Sequence, residues 1–228
     1  VRRYVMGEAS QDREATGIEI EEMKAIVREG IEAGALGVSF ERNYRHFDWD
    51  GRLAPTNLAT DAEILAVASV VDEVGVGVIQ VGGDQALGKQ IAEVSGRPVF
   101  YGNITQQAVA PDRWRSRLAE AEEMLRRGHR AYQFVMPRPG DLRYTLKTAQ
   151  HFDALPSWKT VMLMSLDDRK EAFRDPATRA KLHFEAVETP LNPENAGEFS
   201  RRWDLQFVFQ PALAKNENLT GKSIAQIA

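Results

Sequence analysis

Polar side chains follow the short apolar runs of this chain, and amides are common among them. They are Glu41, Arg42, Asn43, Gln80, Asp84, Asn103, Thr105, Gln106, Gln107, Arg138 and Gln210. Asn and Gln donate and accept hydrogen bonds but do not act as general bases near neutral pH. The set predicts hydrogen bonding to a ligand or to the strand ends themselves, and it assigns no catalytic residue. The candidate lining of a substrate pocket is Gln80, Asp84, Asn103, Gln106 and Arg138.

The histidines form no recognisable metal motif. His46, His129, His151 and His183 make no H-x-H pair and no H-E-x-x-H helix, and the chain contains no Cys. His46 and His151 lie in predicted loops. His129 lies between a predicted helix end and a strand start, at the wrong end of a parallel sheet for chemistry. No metal ligand set is therefore predicted within this chain.

The segment Gly82-Gly83-Asp84 has two interpretations. Glycines before a helix expose backbone N–H groups that bind phosphate, which would suit an α/β nucleotide-binding protein. The segment has no Walker lysine and no complete G-x-G-x-x-G, however. The other interpretation is a tight strand-to-helix turn with Asp84 near the helix N-cap, and the sequence favours this one.

Repeated helix-then-strand units must position these residues. Thr16 with Glu19, and Thr60 with Glu63, have the spacing of a capping box at a helix start. Glycines near the ends of the apolar stripes predict helix stops. The predicted stops are Gly34, Gly75, Gly96 and Gly128, and the predicted strands are 36–40, 76–81, 98–104, 131–136 and 205–209.

The later helices are less regular in sequence. Pro111 suits a first helical position, and one face of that helix carries Trp114, Leu118, Ala121 and Leu125. After it, residues 137–203 are expected to form an irregular and helical excursion. Charged helices are predicted there at 167–173, 176–186 and 193–203.

The alternation of helices and short apolar strands predicts an α/β fold with a parallel sheet buried on both faces. Four consecutive units suit a partial (β/α) TIM-type barrel with parallel strands. An open doubly wound sheet is the structural alternative. Residues 1–228 are expected to form a single domain, and a start at Val1 with an end inside a predicted helix predicts a fragment of a longer chain.

Composition narrows the function classes. The chain has 228 residues, a net charge of -4 at pH 7 and well-mixed charges, so no nucleic acid partner is predicted. Its apolar runs are short and it lacks a signal-peptide pattern, which predicts no membrane partner. The absence of Cys fits a cytoplasmic location.

Six segments of the chain are similar to one known family, and these are 1–7, 13–16, 32–39, 60–75, 96–99 and 221–228. They resemble N-acyl-D-amino-acid deacylases (D-aminoacylases) of the amidohydrolase superfamily. The resemblance implies a metal-dependent (β/α) barrel that hydrolyses the amide of an N-acyl-D-amino acid. It also implies histidine ligands after middle strands, where this chain has Val81 and Asn103. Zinc would then require ligands from a full-length parent.

Two functional hypotheses follow from this resemblance. One is a divergent amidohydrolase that acts on a small-molecule substrate. The other is a non-catalytic or fragmentary barrel with a ligand-binding role or no independent function. An unclosed barrel also leaves sheet edges unpaired, so we expect a homo-oligomer through exposed edges, or closure by the excursion at 137–203.

Overall fold

A computed structural model describes residues 1–43, 46–48, 50–106, 110–135, 143–147, 152, 155–190 and 201–228. The chain divides into two compact units, of which unit 1 comprises residues 1–106 and 112–139, and unit 2 comprises residues 107–111 and 140–228. The single-domain prediction concerns the association of these units and stays a prediction. None of the helices in the described ranges is both long enough and apolar enough to cross a membrane.

Unit 1 alternates helices and strands as predicted. Its elements are α1 Arg2–Met6, α2 Gly17–Glu32, β1 Gly37–Glu41, α3 Asp61–Val74, β2 Val78–Gly82, α4 Gln85–Val94, β3 Val99–Ile104, α5 Arg113–Arg126 and β4 Ala131–Val135. Each of the first four predicted strands overlaps an observed one. The pattern of capped helix, glycine stop and apolar run therefore located these elements correctly.

The strands form a four-stranded sheet in the order β1-β2-β3-β4, and every neighbouring pair is parallel. Each strand thus lies beside the strand that precedes it in the chain. Right-handed crossovers that all advance in one direction place their helices on one face of the sheet. A doubly wound sheet instead reverses direction at a switch point. This strand order is that of a partial (β/α) barrel and confirms the predicted fold class.

The core of unit 1 lies between one face of the sheet and the helices. Strand residues in this core alternate with residues on the other face, and the core strand residues are Phe40, Ile79, Val81, Val99, Tyr101 and Ala131. On the opposite face Ser39 is exposed and Gln80 and Phe100 are partly exposed. The prediction of a sheet buried on both faces is therefore wrong for the described residues. Ser39 and Gln80 are in register on neighbouring strands and place polar side chains on this face, as expected for a sheet covered on one side.

The predicted capping boxes have different outcomes. At α2, Thr16 Oγ1 accepts from the Glu19 N–H at 3.3 Å, and the Thr16 N–H donates back to Glu19 Oε2 at 2.7 Å. At α3, Thr60 Oγ1 accepts from the Glu63 N–H at 3.1 Å. The carboxylate of Glu63, however, forms a buried ion pair with Arg2. The second box is therefore half formed, because a distant arginine binds the carboxylate that would complete it.

Helix α5 differs from its prediction in start and in orientation. It begins at Arg113, after Asp112 as N-cap, so Pro111 is not its first residue. Its buried residues are Ala121 and Met124, whereas Leu125 is 48% exposed. The prediction placed Leu125 on the buried face, whereas Met124 is the residue buried there. The two are adjacent in sequence and both are apolar, so the sequence pattern alone did not distinguish them.

Unit 2 is mostly helical in its described part. Its helices are α6 Pro156–Met162, α7 Leu166–Arg174, α8 Pro176–His183 and α9 Ile224–Ile227, and a π-helical turn follows α8 at Phe184–Glu188. A small core contains Phe152 and Ala186, and Phe152 stacks on Trp158 with ring centroids 4.2 Å apart. Buried Arg169 donates to the carbonyls of Leu146, Lys147, Met162 and Met164. Most of the helix predicted at 193–203 lies outside the described residues.

The strand predicted at 205–209 is wrong. Its pairing is one isolated bridge between Phe207 and Ser223. Val208 exchanges backbone hydrogen bonds with Lys222 and Gly221 at 3.0 and 2.8 Å. The segment is mostly apolar, but Leu205 ends a 3-10 turn at Trp203–Leu205, and a strand also needs a partner along its whole length.

Candidate functional site

The carboxyl edge of the sheet in unit 1 collects polar side chains from three neighbouring strands. β1 ends at Glu41, β2 at Gly82 and β3 at Ile104. Active sites of (β/α) barrels lie at this edge, where strands end and loops to the next helices begin. The loops that follow these strands supply the remaining polar groups.

Gln80 lies two residues before the end of β2, on the sheet face away from the helices. It is in register with Ser39, whose hydroxyl donates to Gln80 Oε1 at 3.1 Å. Its other neighbour in register is Phe100. The Gln80 side chain therefore lies between a polar and an aromatic neighbour on the open face.

An aromatic group continues this face across β3 and β4. Phe100 stacks against Phe134 with ring centroids 5.6 Å apart and lies 5.4 Å from the ring of Tyr132. Tyr132 and Phe134 are 39% and 44% exposed. This arrangement places a flat apolar surface beside the amide of Gln80.

Arg42 connects the loop after β1 to the starts of α3 and α4. Its buried guanidinium pairs with Asp61 and with Asp84 Oδ2, the latter at 3.2 Å, and donates to the Ala59 carbonyl at 2.7 Å. Burial lowers the pKa of Arg42, but the hydrogen bonds and charges of Asp61 and Asp84 outweigh that effect and raise it. Arg42 therefore acts as a structural cation of this edge.

Asp84 has the capping role that the turn interpretation predicted. Its Oδ1 accepts from the Leu87 N–H at 2.9 Å, which makes it the N-cap of α4. Gly83 has φ +76°, and an added Cβ would lie 2.3 Å from the Arg42 carbonyl oxygen. Both carboxylate oxygens of Asp84 are thus engaged by the protein, and its predicted contact with substrate stays a prediction.

The loop after β1 brings together a group that sequence reasoning did not assemble. His46 Nδ1 lies 3.5 Å from Glu41 Oε1, and Asn43 Nδ2 lies 3.2 Å from His46 Nε2. The backbone fixes this loop, because the His46 N–H donates to the Asn43 carbonyl and the Ala54 N–H donates to the His46 carbonyl, both at 2.9 Å. The signal in sequence was a histidine shortly after a strand-end carboxylate, in a loop of unknown path.

A short hairpin stabilises the far side of the same loop. Phe47 bridges Leu53, and Asp48 Oδ1 accepts from the N–H groups of Asp50 and Arg52 at 3.0 and 2.9 Å. Gln11 donates to the other oxygen of Asp48 at 2.8 Å. The hydrogen bond from Gln11 is the largest cause that lowers the pKa of Asp48. The loop that carries His46 is therefore anchored on both sides.

Gly82 makes room for the Glu41 carboxylate. A Cβ added to Gly82 would lie 1.7 Å from Glu41 Oε2. The carboxylate thus lies directly over the last residue of β2. A glycine is required here for this position of Glu41, since any side chain would displace the carboxylate.

Asn103 and Gln106 follow at the end of β3. The pairing of β3 with β4 shifts between Phe100 and Asn103, and Asn103 is in register with Phe134. Both amide residues are exposed. Arg117 donates to the backbone carbonyl of Asn103 at 2.8 Å, which fixes the strand end.

The structure does not bring the whole predicted set together. Gln80 and Asn103 share the open face, Asp84 caps a helix, and Gln106 lies beyond β3. Arg138 lies outside the described residues, as do Gln107 and His151. The pocket predicted from these residues stays a prediction.

The described residues do not fit a zinc site. They contain no group of three or more His, Cys, Asp or Glu side chains placed to hold a metal ion. Val81, at one position where the resemblance implies a ligand, is 1% exposed in the core against the helices. Asn103, at the other, offers a neutral carboxamide, which is a poor ligand for zinc.

Comparison with known proteins gives structural neighbours. No family model matches the chain, and no curated protein matches it. Three solved structures of D-aminoacylase are similar to it: a mutant in complex with CuCl2, one concerned with the binuclear metal center, and one that defines a novel subset of amidohydrolases. Identities are 22%, 22% and 21%, with TM-scores of 0.48, 0.49 and 0.45. Each alignment covers 60% of this chain and 28% of the D-aminoacylase chain.

Proposed function

We propose that this chain belongs to an amidohydrolase-like enzyme that hydrolyses the amide bond of N-acyl-D-amino acids. The observation that carries the proposal is the collection of polar groups at the carboxyl edge of a sequentially ordered parallel sheet. The sequence resemblance to D-aminoacylases supplies the substrate class. The chain spans 28% of the length of the D-aminoacylase structures, so residues outside it would complete the site.

The side chains on the open face suit an acylated amino acid. The amides of Gln80 and Asn103 each offer a donor and an acceptor, which match the carbonyl and N–H of a substrate amide. The aromatic surface formed by Phe100, Tyr132 and Phe134 suits an apolar acyl group. Substrate recognition by these residues is the role that we assign to this chain.

Zinc has no place in the steps that we assign to these residues. Val81 offers no ligand atom and faces the core, and Asn103 offers only a carboxamide. Any zinc would bind through groups outside the described residues. The assay with added zinc and with chelator therefore measures whether hydrolysis requires a metal.

The assay is hydrolysis of N-acetyl-D-methionine and N-acetyl-D-phenylalanine, followed as release of the free amino acid, with the L-enantiomers as controls. It is run on the 228-residue chain and on any longer form of the protein, each with added zinc and with chelator. Faster release from D-substrates by either form supports the proposal. No release from any substrate by any form contradicts it.

A second candidate function is ligand binding without hydrolysis. The position of Val81 in the core favours it, because a metal-binding side chain there would point away from the open face. Calorimetry separates the two candidates. Saturable binding of N-acetyl-D-phenylalanine that weakens in Gln80→Ala, without any product, would establish binding in place of catalysis.

A further inference from the structure

Glu41 ends β1, and the ring of His46 lies beside its carboxylate in the loop that follows. We propose that these two residues form a general acid–base pair, in which His46 is the catalytic residue and Glu41 is the positioning residue. The inference rests on the proposed function for its natural substrate but not for its test. It adds a proton-transfer group beside the amides of Gln80 and Asn103, to which the proposed function assigns substrate recognition.

The contacts of the ring define which nitrogen is basic. We assign the ring proton to Nδ1, because this nitrogen lies 3.5 Å from Glu41 Oε1 and a carboxylate can only accept a hydrogen bond. Nε2 then keeps its lone pair, and the Asn43 amide donates to it across 3.2 Å. This is the tautomer in which a carboxylate orients an imidazole whose outer nitrogen accepts a proton.

The charged groups around the pair are engaged elsewhere. Arg42 binds Asp61 and Asp84. On the hairpin, Asp48 accepts from Gln11, and Arg52 pairs with Asp12 at 2.7 Å. Arg45 lies outside the described residues. Glu41 is therefore the ionisable partner that contacts the His46 ring in the described part of the loop.

The proton balance of hydrolysis fits one such pair. In this step a water takes the place of the Asn43 amide at His46 Nε2 and donates to its lone pair. As the oxygen of that water forms its bond to the acyl carbon, Nε2 takes one proton from it. The imidazolium returns this proton to the leaving nitrogen as the C–N bond breaks. The products are a carboxylic acid and an amine, which then exchange the remaining proton. Glu41 stabilises the imidazolium between these two transfers.

The test uses 4-nitrophenyl acetate, an activated ester that the pair cleaves by the same proton transfer from water, with nitrophenolate as the leaving group. His46→Gln should lose most of the protein-dependent rate. Glu41→Gln should lose a large part of it, and Gly82→Ala should do the same, because its Cβ displaces the Glu41 carboxylate while both functional side chains remain. The matched control is His183→Gln, since His183 lies 3.8 Å from Glu188 Oε1 at an exposed helix end of unit 2. This control should keep most of the rate.

A spectroscopic readout accompanies the rates. Nitrogen-15 spectra of the histidine rings should show His46 with its proton on Nδ1 in the unaltered chain, and Glu41→Gln and Gly82→Ala should lose that signature. No protein-dependent ester cleavage, or equal loss in His46→Gln and His183→Gln, overturns the inference. Cleavage that depends on His46, alongside no hydrolysis of N-acyl amino acids, supports this inference and contradicts the proposed substrate.

Discussion

Two adjacent glycines at the end of β2 illustrate how differently two residues of one type are constrained. Gly83 has φ +76°, and its added Cβ would lie 2.3 Å from a backbone oxygen that cannot move easily. Gly82 approaches only the end of the flexible Glu41 side chain. The turn is therefore held by Gly83, and the carboxylate position by Gly82.

We expect Gly83→Ala to lower the free energy of unfolding by about 1–3 kcal/mol, the cost of a residue held in a sparsely populated backbone conformation. Gly82→Ala should change it much less, because the carboxylate moves aside. Urea unfolding followed by circular dichroism measures both variants. Equal losses in the two would contradict the distinction.

The roles of some residues could be predicted from their neighbours in sequence, whereas the contacts of others could not. The N-cap role of Asp84 followed from its place between glycines and a helix pattern, all within a few residues. The contact between Glu41 and His46 depends on the path of a loop, which no periodicity describes. The side-chain direction of Val81 depends on strand register, and one residue of shift reverses the face.

At the scale of elements, the start of α2 has a measurable dependence on pH. The pKa of Glu19 falls from 4.5 to about 2, first through the hydrogen bond from Arg13 and then through the Thr16 backbone N–H. Since the folded pKa is lowered, the contribution of Glu19 is fully present above pH 4.5 and is lost as pH falls towards about 2. The protection factors of the first-turn amides of α2, which correct for the slower intrinsic exchange in acid, should therefore fall in that window.

The same molecule supplies a control for this measurement. α9 begins with a capping box formed by Ser223 and Gln226, which contains no carboxylate. Its first-turn amides should not respond over the same pH range. The Glu19→Gln variant should likewise lose the acid response of α2. A response of equal size in that variant would assign the effect to other groups.

Helices α1 and α3 are joined by the buried ion pair of Arg2 and Glu63, whose side chains are 7% and 5% exposed. Removing one partner leaves a buried charge, so Arg2→Met or Glu63→Leu alone should each cost about 3–5 kcal/mol of unfolding free energy. The double variant should cost clearly less than the sum. A double-mutant cycle in urea measures this difference, and simple additivity would show that the pair is not coupled.

Sequence patterns predicted the elements better than their partners. Thr60 was recognised as a cap, but Glu63 pairs with Arg2, 61 residues away in the chain. The apolar residues at 205–209 predicted a strand, yet the segment pairs at one bridge. Both errors have one cause: periodicity reports the polarity of a segment, whereas pairing depends on residues distant in sequence.

For unit 1 as a whole, the sequence did not determine the order of the strands, and two folds were therefore compatible with it. The repeated units suited both a barrel and a doubly wound sheet. The order β1-β2-β3-β4 selects the barrel type and leaves β1 and β4 at the two ends of the described sheet. A parallel sheet with unpaired end strands offers free backbone N–H and C=O groups to another chain.

We expect the 228-residue chain to self-associate by pairing its β4 with β4 of a second copy. β4 carries Tyr132, Phe134 and Val135, and Val135 is 65% exposed. Val135→Lys should shift the chain towards monomer, because a charged edge residue opposes pairing. Leu125→Lys, an exposed apolar position on α5, is the matched control and should not. Light scattering over a range of concentrations measures the mass. A monomer at all concentrations would contradict self-association, and slow amide exchange along β4 in that monomer would assign the edge to closure within one chain.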